Sequence, residues 1–306
     1  MKCLSCQKET GSLRYHKKCL NALFGVAWTP EIKFGIADLP SKVGRASGKM
    51  SIAGVQIKAL LKLNSVNKQL EIADEGGTYI LKPEPNEFPE LPLNENLCMS
   101  IAQELKMKVP PHGLFKMADG KLAYVIKRFD RIGNNEKIHK EDMAQILNLS
   151  PEAKYSSSLE AVGNAIKKNS ANPYLDLFDF FQRLLLNFTI GNGDMHLKNW
   201  SLLTPANGQN SLVPCYDFVS SKIYLPDEED LGLPLGGKKN KLERKDFEDF
   251  ADYLGIDSKA VLNAIDSIIN FKDPILNMIK SSFLNSIYKT KFEEIVQERL
   301  LRLKKK

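Results

Sequence analysis

The most apolar stretch of this chain, residues 174–190, stops at Gly191-Asn192-Gly193. Apolar side chains surround a helical projection of it almost completely, which is typical of a helix buried in the centre of a domain. The three charges within it, Asp176, Asp179 and Arg183, argue against a membrane span. We therefore predict a central buried helix that ends at the glycines.

The segments on either side of this helix differ in their periodicity. Apolar residues alternate over 57–63, and polar turns separate this segment from further strands at 70–72 and 78–82. A helix with Asn94 as its N-cap interrupts the strands, and another strand covers 122–126. Beyond residue 130 the pattern is mostly helical. A β-rich front half and a helical back half predict an α+β protein of two lobes with a cleft between them.

Three parts are expected along the chain: a Cys/His cap at 1–25, a β-rich lobe with a phosphate loop at 26–130, and a helical lobe with the catalytic loop at 131–306. The 43% hydrophobic and 26% charged residues exclude disordered and fibrous classes. The net charge of +6 resides partly in local lysine clusters, so we expect no strong direct nucleic-acid binding. An odd number of cysteines and the lack of a secretory leader favour a cytoplasmic protein without membrane partners.

The loop after the buried helix carries the most informative motif, Gly193-Asp-Met-His-Leu-Lys-Asn199. Phosphoryl transfer needs a carboxylate that orients the attacking hydroxyl and oxygen ligands for magnesium. Asp194 and Asn199 have the spacing that protein kinases use for these tasks, and Asp217 follows a predicted hairpin. The simpler alternative is that all three are turn and cap residues. Their placement between a core helix and a hairpin favours the functional interpretation.

The front half contains residues suited to binding phosphates. Residues 51–58 form a small-residue turn before a strand, where backbone N–H groups could approach an anion. Lys82 ends a strand of the same lobe, and Glu95 lies in the following helix. The alternatives are an exposed strand end for Lys82 and a carboxylate favoured by the helix dipole for Glu95. We favour phosphate binding for Lys82 and leave both interpretations of Glu95 open.

Five ordered motifs between residues 50 and 220 resemble the HipA-like serine/threonine kinases of bacterial toxin–antitoxin systems. They are Ser51-Ile-Ala-Gly-Val-Gln-Ile-Lys58, Tyr79-Ile-Leu-Lys82, Ile126-Lys-Arg-Phe-Asp-Arg131, Gly193-Asp-Met-His-Leu-Lys-Asn199 and Tyr216-Asp-Phe218. The resemblance implies a two-lobed protein-kinase-like fold that binds ATP and Mg²⁺.

The resemblance also implies a role for individual residues. Asp194 would be the catalytic base, Asn199 and Asp217 the magnesium ligands, and Ser51 an inhibitory autophosphorylation site. The nucleotide would be held by Ala53, Gly54, Val55, Gln56, Ile57, Lys58, Lys82, Lys127, Arg128, Phe129, His196, Lys198, Asn199 and Asp217.

The chain departs from the full-length family pattern in its length. Only residues 1–50 precede the serine-containing loop, which leaves no room for the family's N-terminal subdomain. The chain is therefore similar to the shorter HipT branch, in which that subdomain is a separate small antitoxin. Position 53 is Ala, so Ser51 is the serine available in the loop. The resemblance further implies a helix-turn-helix DNA-binding partner and an aminoacyl-tRNA synthetase as the substrate.

The first twenty residues contain a cluster suited to a metal ion. Cys3, Cys6, His16 and Cys19 offer three thiolates and an imidazole, which fits a closed tetrahedral zinc site. Reduced cysteines without a metal are the alternative. Clustered Cys and His residues in a reducing compartment favour structural zinc.

Two functions other than that of a toxin kinase are compatible with parts of the sequence. One is a non-catalytic kinase-fold module that binds within a DNA-bound antitoxin complex, which the set of Lys82, Asp194, Asn199 and Asp217 disfavours. The other is a kinase of small molecules, which the hinge and serine-loop motifs disfavour.

Overall fold

The computed structural model describes residues 1–39, 57–133 and 136–305. The chain divides into two compact units. The first contains residues 1–100, 110–137 and 282–284, and the second contains 101–109, 138–281 and 285–306.

The first unit is built on a five-stranded antiparallel sheet with the order β2-β1-β3-β5-β4. Leu81 pairs with Val125 across neighbouring strands, and both side chains are fully buried. The strand predicted from the alternation over 57–63 is confirmed from Ala59 onward, where Ala59 and Leu61 face the core and Lys62 is exposed. The strands are β1 Ala59–Asn64, β2 Gln69–Ile72, β3 Tyr79–Lys82, β4 His112–Lys116 and β5 Leu122–Lys127, followed by the short pair β6 Arg131–Ile132 and β7 Glu136–Lys137.

The N-terminal segment packs against this sheet. Tyr15 stacks on Phe115 with ring centroids 4.9 Å apart, and Cys3 belongs to the same buried cluster. Helix α1, Lys17–Phe24, contributes three further buried side chains, Leu20, Leu23 and Phe24. The segment predicted as a cap at 1–25 thus shares its core with the sheet.

Both edges of the sheet are hydrogen-bonded to N-terminal residues. On the β4 edge, the N–H of Leu114 donates to the carbonyl of Leu4 at 2.8 Å. On the β2 edge, the N–H of Glu31 donates to Lys68 O, and the N–H of Leu70 donates to Glu31 O. Covered edges cannot template pairing with another chain.

The second unit is mainly helical around α5, Pro173–Ile190. Its charged residues have partners: the buried Asp176 accepts hydrogen bonds from Ser170 Oγ and the N–H of Leu212, and the buried Arg183 pairs with the partly exposed Asp179. The predicted helix is confirmed and its buried residues lie between Asp176 and Ile190, whereas Tyr174 and Leu175 at its start are exposed. The other helices are α3 Met143–Ile146, α4 Leu159–Asn169, α6 Arg244–Leu254, α7 Ser258–Asn270, α8 Lys272–Ser281 and α9 Ser286–Lys304, and a small sheet contains β8 His139–Asp142, β9 Ser201–Thr204 and β10 Ser211–Leu212.

One helix boundary differs from the prediction. Helix α2, Leu91–Glu104, begins three residues before Asn94, so Asn94 is not its N-cap. The N–H groups of Leu93 and Asn94 both donate to the carbonyl of Glu90, which places the first turn earlier. Among the described residues, none of the helices has the length and apolarity that crossing a lipid bilayer requires.

Candidate functional site

The loop that carries Asp194 leaves the core helix α5 at a tight stop. Gly191 has a left-handed backbone with φ of 69°, and the N–H of Asn192 donates to Asn187 O at 2.9 Å. A 3₁₀ turn over Leu197–Asn199 then leads into β9. The loop is therefore fixed at one end by a buried helix and at the other by a strand.

Asn199 and Asp217 lie in contact although 18 positions separate them. The Nδ2 of Asn199 donates to Asp217 Oδ2 at 3.4 Å, and its Oδ1 accepts from the N–H of His196 at 3.0 Å. The hydroxyl of Tyr216 donates to the carbonyl of Lys198 at 2.7 Å and joins the two segments next to this contact. The side chains of Asn199 and Asp217 are thus brought to one place, with the amide nitrogen of Asn199 facing the carboxylate and its Oδ1 held by the backbone. Both residue types supply the oxygen ligands that magnesium takes.

Asp194 is exposed at the start of the same loop and accepts a hydrogen bond from Tyr155. The Tyr155 ring packs edge-on to His196 with centroids 5.2 Å apart. Burial raises the pKa of the Tyr155 phenol, and the hydrogen bond to Asp194 raises it further. Burial also lowers the pKa of His196 to about 4, so the imidazole beside Asp194 is neutral at pH 7. Sequence reasoning missed Tyr155, because no local pattern connects it to a loop 39 residues later.

The backbone of the loop rests on a second carboxylate, Glu228. The N–H of Gly193 donates to Ser221 Oγ at 2.9 Å, and that hydroxyl donates to Glu228 Oε2 at 2.5 Å. A Cβ at position 193 would lie 2.5 Å from the Glu228 carboxyl carbon, and one at Gly232 would lie 2.8 Å from the carbonyl oxygen of Gly193. Burial raises the pKa of Glu228, and the charge of Asp194 adds to the effect. Glycine is needed at Gly232, where the close neighbours are backbone atoms, whereas at Gly193 the close neighbour is the end of the Glu228 side chain.

Lys82 and Glu95 form a buried ion pair in the first unit. The Nζ of Lys82 lies 2.5 Å from Glu95 Oε1, and the side chains are only 5% and 2% exposed. Buried charges of this kind require a partner. Because α2 begins at Leu91, Glu95 lies beyond the first turn, where the helix dipole has little effect. Of the two interpretations left open for Glu95, the structure supports pairing with Lys82.

The segment predicted as the adenine hinge follows β5. The N–H of Arg128 donates to Thr78 O, and its guanidinium binds both carboxylate oxygens of Asp130 at 2.9 and 2.7 Å. Although burial acts to raise the pKa of Asp130, the hydrogen bonds and charge of Arg128 lower it. Lys127 ends β5 and Phe129 follows Arg128. The role of these residues toward adenine stays a prediction.

Much of the predicted phosphate loop lies outside the described residues, namely Ser51, Ala53, Gly54, Val55 and Gln56. Ile57 and Lys58 directly precede β1, and Ile57 packs against the core of the first unit.

The N-terminal cysteines and His16 converge as the spacing predicts. The ligand atoms of Cys3, Cys6, His16 and Cys19 all lie within 4.8 Å of one another. The Nδ1 of His16 is 3.3 Å from Cys6 Sγ, and its Nε2 donates to the carbonyl of Glu9 at 2.9 Å. This second hydrogen bond fixes the tautomer that leaves Nδ1 free to bind a metal.

The protonation of the three thiols also favours a bound cation. Hydrogen bonds with Cys19 and Cys6 lower the pKa of Cys3, whereas hydrogen bonds with Cys3 and Cys6 raise the pKa of Cys19. Three thiolates at this distance repel one another unless a positive charge lies between them. The donor set therefore fits zinc, which takes Cys₃His sites in tetrahedral geometry.

The known proteins that are similar to this chain are HipA-like proteins or kinases by name. The family described as the HipA-like C-terminal domain matches residues 50–273. A protein of Haemophilus influenzae named as a candidate kinase is 29% identical over 84% of this chain and 82% of its own length. The serine/threonine-protein kinase toxin HipA of Shewanella oneidensis is 26% identical over 75% of this chain and 57% of its own length.

Two solved structures share the fold. One is HipA from the Shewanella oneidensis complex of HipA, HipB and operator DNA, with a TM-score of 0.69, 24% identity, and coverage of 83% of this chain and 64% of that one. The other is the Helicobacter pylori proinflammatory kinase CtkA, with a TM-score of 0.54, 18% identity, and coverage of 81% and 90%. The fold is therefore kinase-like, with a β-rich part and a helical part, as the sequence motifs implied.

Proposed function

The chain belongs to the family of proteins with a HipA-like C-terminal domain, and on that premise we propose that it is an ATP- and Mg²⁺-dependent serine/threonine protein kinase that acts as a toxin. The contact between Asn199 and Asp217, on the segments next to Asp194, carries the proposal. Phosphoryl transfer needs metal-binding oxygens close to a carboxylate that orients the acceptor hydroxyl.

Each residue of this set has a distinct task in the proposed reaction. Asp194 orients the hydroxyl of a protein substrate and accepts its proton. Asn199 and Asp217 hold Mg²⁺, which when bound neutralises the charge of the nucleotide phosphates. Lys82, fixed by Glu95, contacts the α- and β-phosphates. The buried and paired state of Lys82 supports this role, because a fixed charge needs no reorganisation during the reaction.

The remaining nucleotide contacts are proposed from the family resemblance. The loop from Ala53 to Lys58 covers the phosphates, residues 127–129 hold adenine, and His196 and Lys198 line the nucleotide. Ser51 is the proposed inhibitory autophosphorylation site, since a phosphate there would repel bound ATP. Ser51→Asp should then weaken ATP binding while Ser51→Ala retains it, and equal affinities would contradict the switch.

The proposed partners and substrate rest on one solved relative and on the family resemblance. The solved HipA is in complex with HipB and operator DNA, and we extend this arrangement to a helix-turn-helix partner of the present chain. A small antitoxin equivalent to the N-terminal subdomain, as in the HipT branch, is the second proposed partner. The proposed substrate is an aminoacyl-tRNA synthetase, and zinc is the proposed ion of the Cys3, Cys6, His16 and Cys19 site.

The direct test is transfer of radiolabel from [γ-³²P]ATP in the presence of Mg²⁺. Asp194→Asn should lower transfer by roughly 10²–10⁴-fold, because it removes the acid–base group. Asp249→Asn, at an exposed position on α6 where Asp249 pairs only with Lys245 among the described residues, is the matched control and should transfer label normally. Label transfer by Asp194→Asn at the wild-type rate would contradict the assignment.

A further inference from the structure

Gln7 follows the metal-binding pair Cys3 and Cys6 and reaches helix α2. Its N–H donates to the carbonyl of Cys3 at 2.9 Å, which closes the loop of residues 3–7. Its side chain is buried, and Nε2 donates to Asn96 O and to Ser100 Oγ, both at 3.4 Å. The side chain of a residue in the metal loop is therefore hydrogen-bonded to the helix that carries Glu95.

The same loop is anchored to the sheet. The hydroxyl of Ser5 donates to His112 O at 2.5 Å, and Leu4 O accepts from the N–H of Leu114 at 2.8 Å. A Cβ at Gly113 would lie 3.0 Å from the Cβ of Ser5, so the loop lies directly against β4. The loop of residues 3–7 thus connects an edge strand of the sheet to residues 91–100 of α2, all within one compact unit.

The backbone conformation of Gln7 allows its side-chain contact to be tested separately from the shape of the loop. With φ of 60°, residue 7 lies in the left-handed region, where glycine is favoured and a glutamine is strained. Removing the side chain by substitution with glycine therefore relieves the backbone and leaves the loop able to adopt its shape. The contact with α2 can be removed without disturbing the metal ligands.

We propose that Gln7 is a positioning residue: with a metal ion on Cys3, Cys6, His16 and Cys19, it fixes α2 and so holds Glu95 against Lys82. Glu95 immediately precedes Asn96, whose carbonyl accepts from Gln7, so motion of this turn moves the carboxylate. In kinases the position of this helix decides whether the Lys–Glu pair forms. The consequence for phosphoryl transfer rests on the proposed function, whereas the coupling from metal site to helix does not.

Hydrogen exchange of the zinc-loaded protein, followed by mass spectrometry, tests the coupling. Gln7→Gly should retain about one zinc per chain, and the amides of residues 94–101 should exchange roughly tenfold faster than in the wild type. Cys6→Ser should lose the zinc and show the same acceleration. Lys68→Gly is the matched control, because Lys68 is exposed, has φ of 52° and lies in the β1–β2 turn; it should leave exchange at 94–101 unchanged.

Gln7→Met covers the case in which the glycine variant loses its metal, since methionine keeps the length of the side chain but has no donor. Unchanged exchange at 94–101 in a zinc-loaded Gln7 variant would overturn the proposal. In radiolabel assays, the Gln7 variants should raise the KM for ATP more than they lower kcat. If the wild type transfers no label while the exchange result holds, the kinase assignment fails and the coupling stands.

Discussion

The hydroxyl of Tyr155 donates a hydrogen bond to the carboxylate of Asp194, the group proposed to orient the hydroxyl of a substrate. The tyrosine therefore occupies an acceptor position that a protein substrate would use. Tyr155 is 39% exposed, so a substrate can reach and displace it. Hydrogen bonds to charged groups contribute more than neutral ones, but solvent reduces the effect at an exposed site.

Tyr155→Phe should therefore activate the enzyme. Loss of the competing hydroxyl is expected to raise kcat/KM toward a protein acceptor severalfold, and by no more than about tenfold. Initial rates of label incorporation into casein, with Tyr253→Phe as an exposed control on α6, would measure the change. A loss of activity in Tyr155→Phe would show that the tyrosine supports Asp194 instead of competing for it.

The buried pair of Lys82 and Glu95 predicts separable effects on stability and on ATP binding. Glu95→Gln leaves a buried ammonium without its counter-charge and should cost about 3–5 kcal/mol in the free energy of unfolding. The double variant Lys82→Met/Glu95→Leu removes both charges and should recover most of that loss. Urea unfolding would measure stability, and the thermal shift caused by ATP and Mg²⁺ would measure binding.

The double variant distinguishes a structural role from a functional one. A stable Lys82→Met/Glu95→Leu protein that no longer responds to ATP supports the phosphate role of Lys82. If the double variant still shows the full thermal shift with ATP and Mg²⁺, the pair contributes to stability and not to ATP binding.

Much of the fold follows from local patterns, and much of the site does not. The alternation before Asn64 and the apolar run of α5 predict a strand and a buried helix, because burial of one face or of all faces imposes these periods. Asp194 and Asn199 are recognisable since they lie on one short loop. Strand β8, which pairs with β9, carries mostly polar residues, His139–Asp142, and so lacks the apolar alternation of a half-buried strand.

Other contacts arise from segments that are distant in the sequence. Tyr155, Glu228 and Gln7 each meet a functional element through tertiary packing. Nothing in the residues around them shows which distant group they will approach. The contact of Glu95 is partly predictable from the sequence. Its partner Lys82 is close along the chain, but the pairing depends on where α2 begins.

The burial of His112 predicts that the protein loses stability in mild acid. Burial lowers its pKa from 6.5 to about 4. Between these pH values the unfolded chain binds a proton that the folded protein does not, so stability rises with pH across this window. Acidification from pH 7 to 4 should cost about 3 kcal/mol through this residue.

His112→Gln should remove that share of the pH dependence. The measurement is the free energy of unfolding in urea at several pH values, compared between variant and wild type. His139→Gln, at an exposed position of β8, is the control. Parallel curves for the wild type and His112→Gln between pH 6.5 and 4 would contradict the prediction.

The close packing of Gly232 against the backbone of the Asp194 loop predicts that a larger residue at position 232 displaces this loop. An added Cβ would lie 2.8 Å from Gly193 O and 2.9 Å from Met195 O, both backbone atoms of the loop. Gly232→Ala must therefore displace the backbone on either side of Asp194. A misplacement of this kind should lower kcat roughly 10²-fold. The ATP-dependent thermal shift should fall much less than kcat, because Lys82 and Glu95 are untouched. Gly163→Ala is the matched control: its Cβ would meet the flexible end of the Leu254 side chain, which can move aside. Normal kcat in Gly232→Ala would mean that the loop tolerates displacement and that Asp194 does not depend on this support.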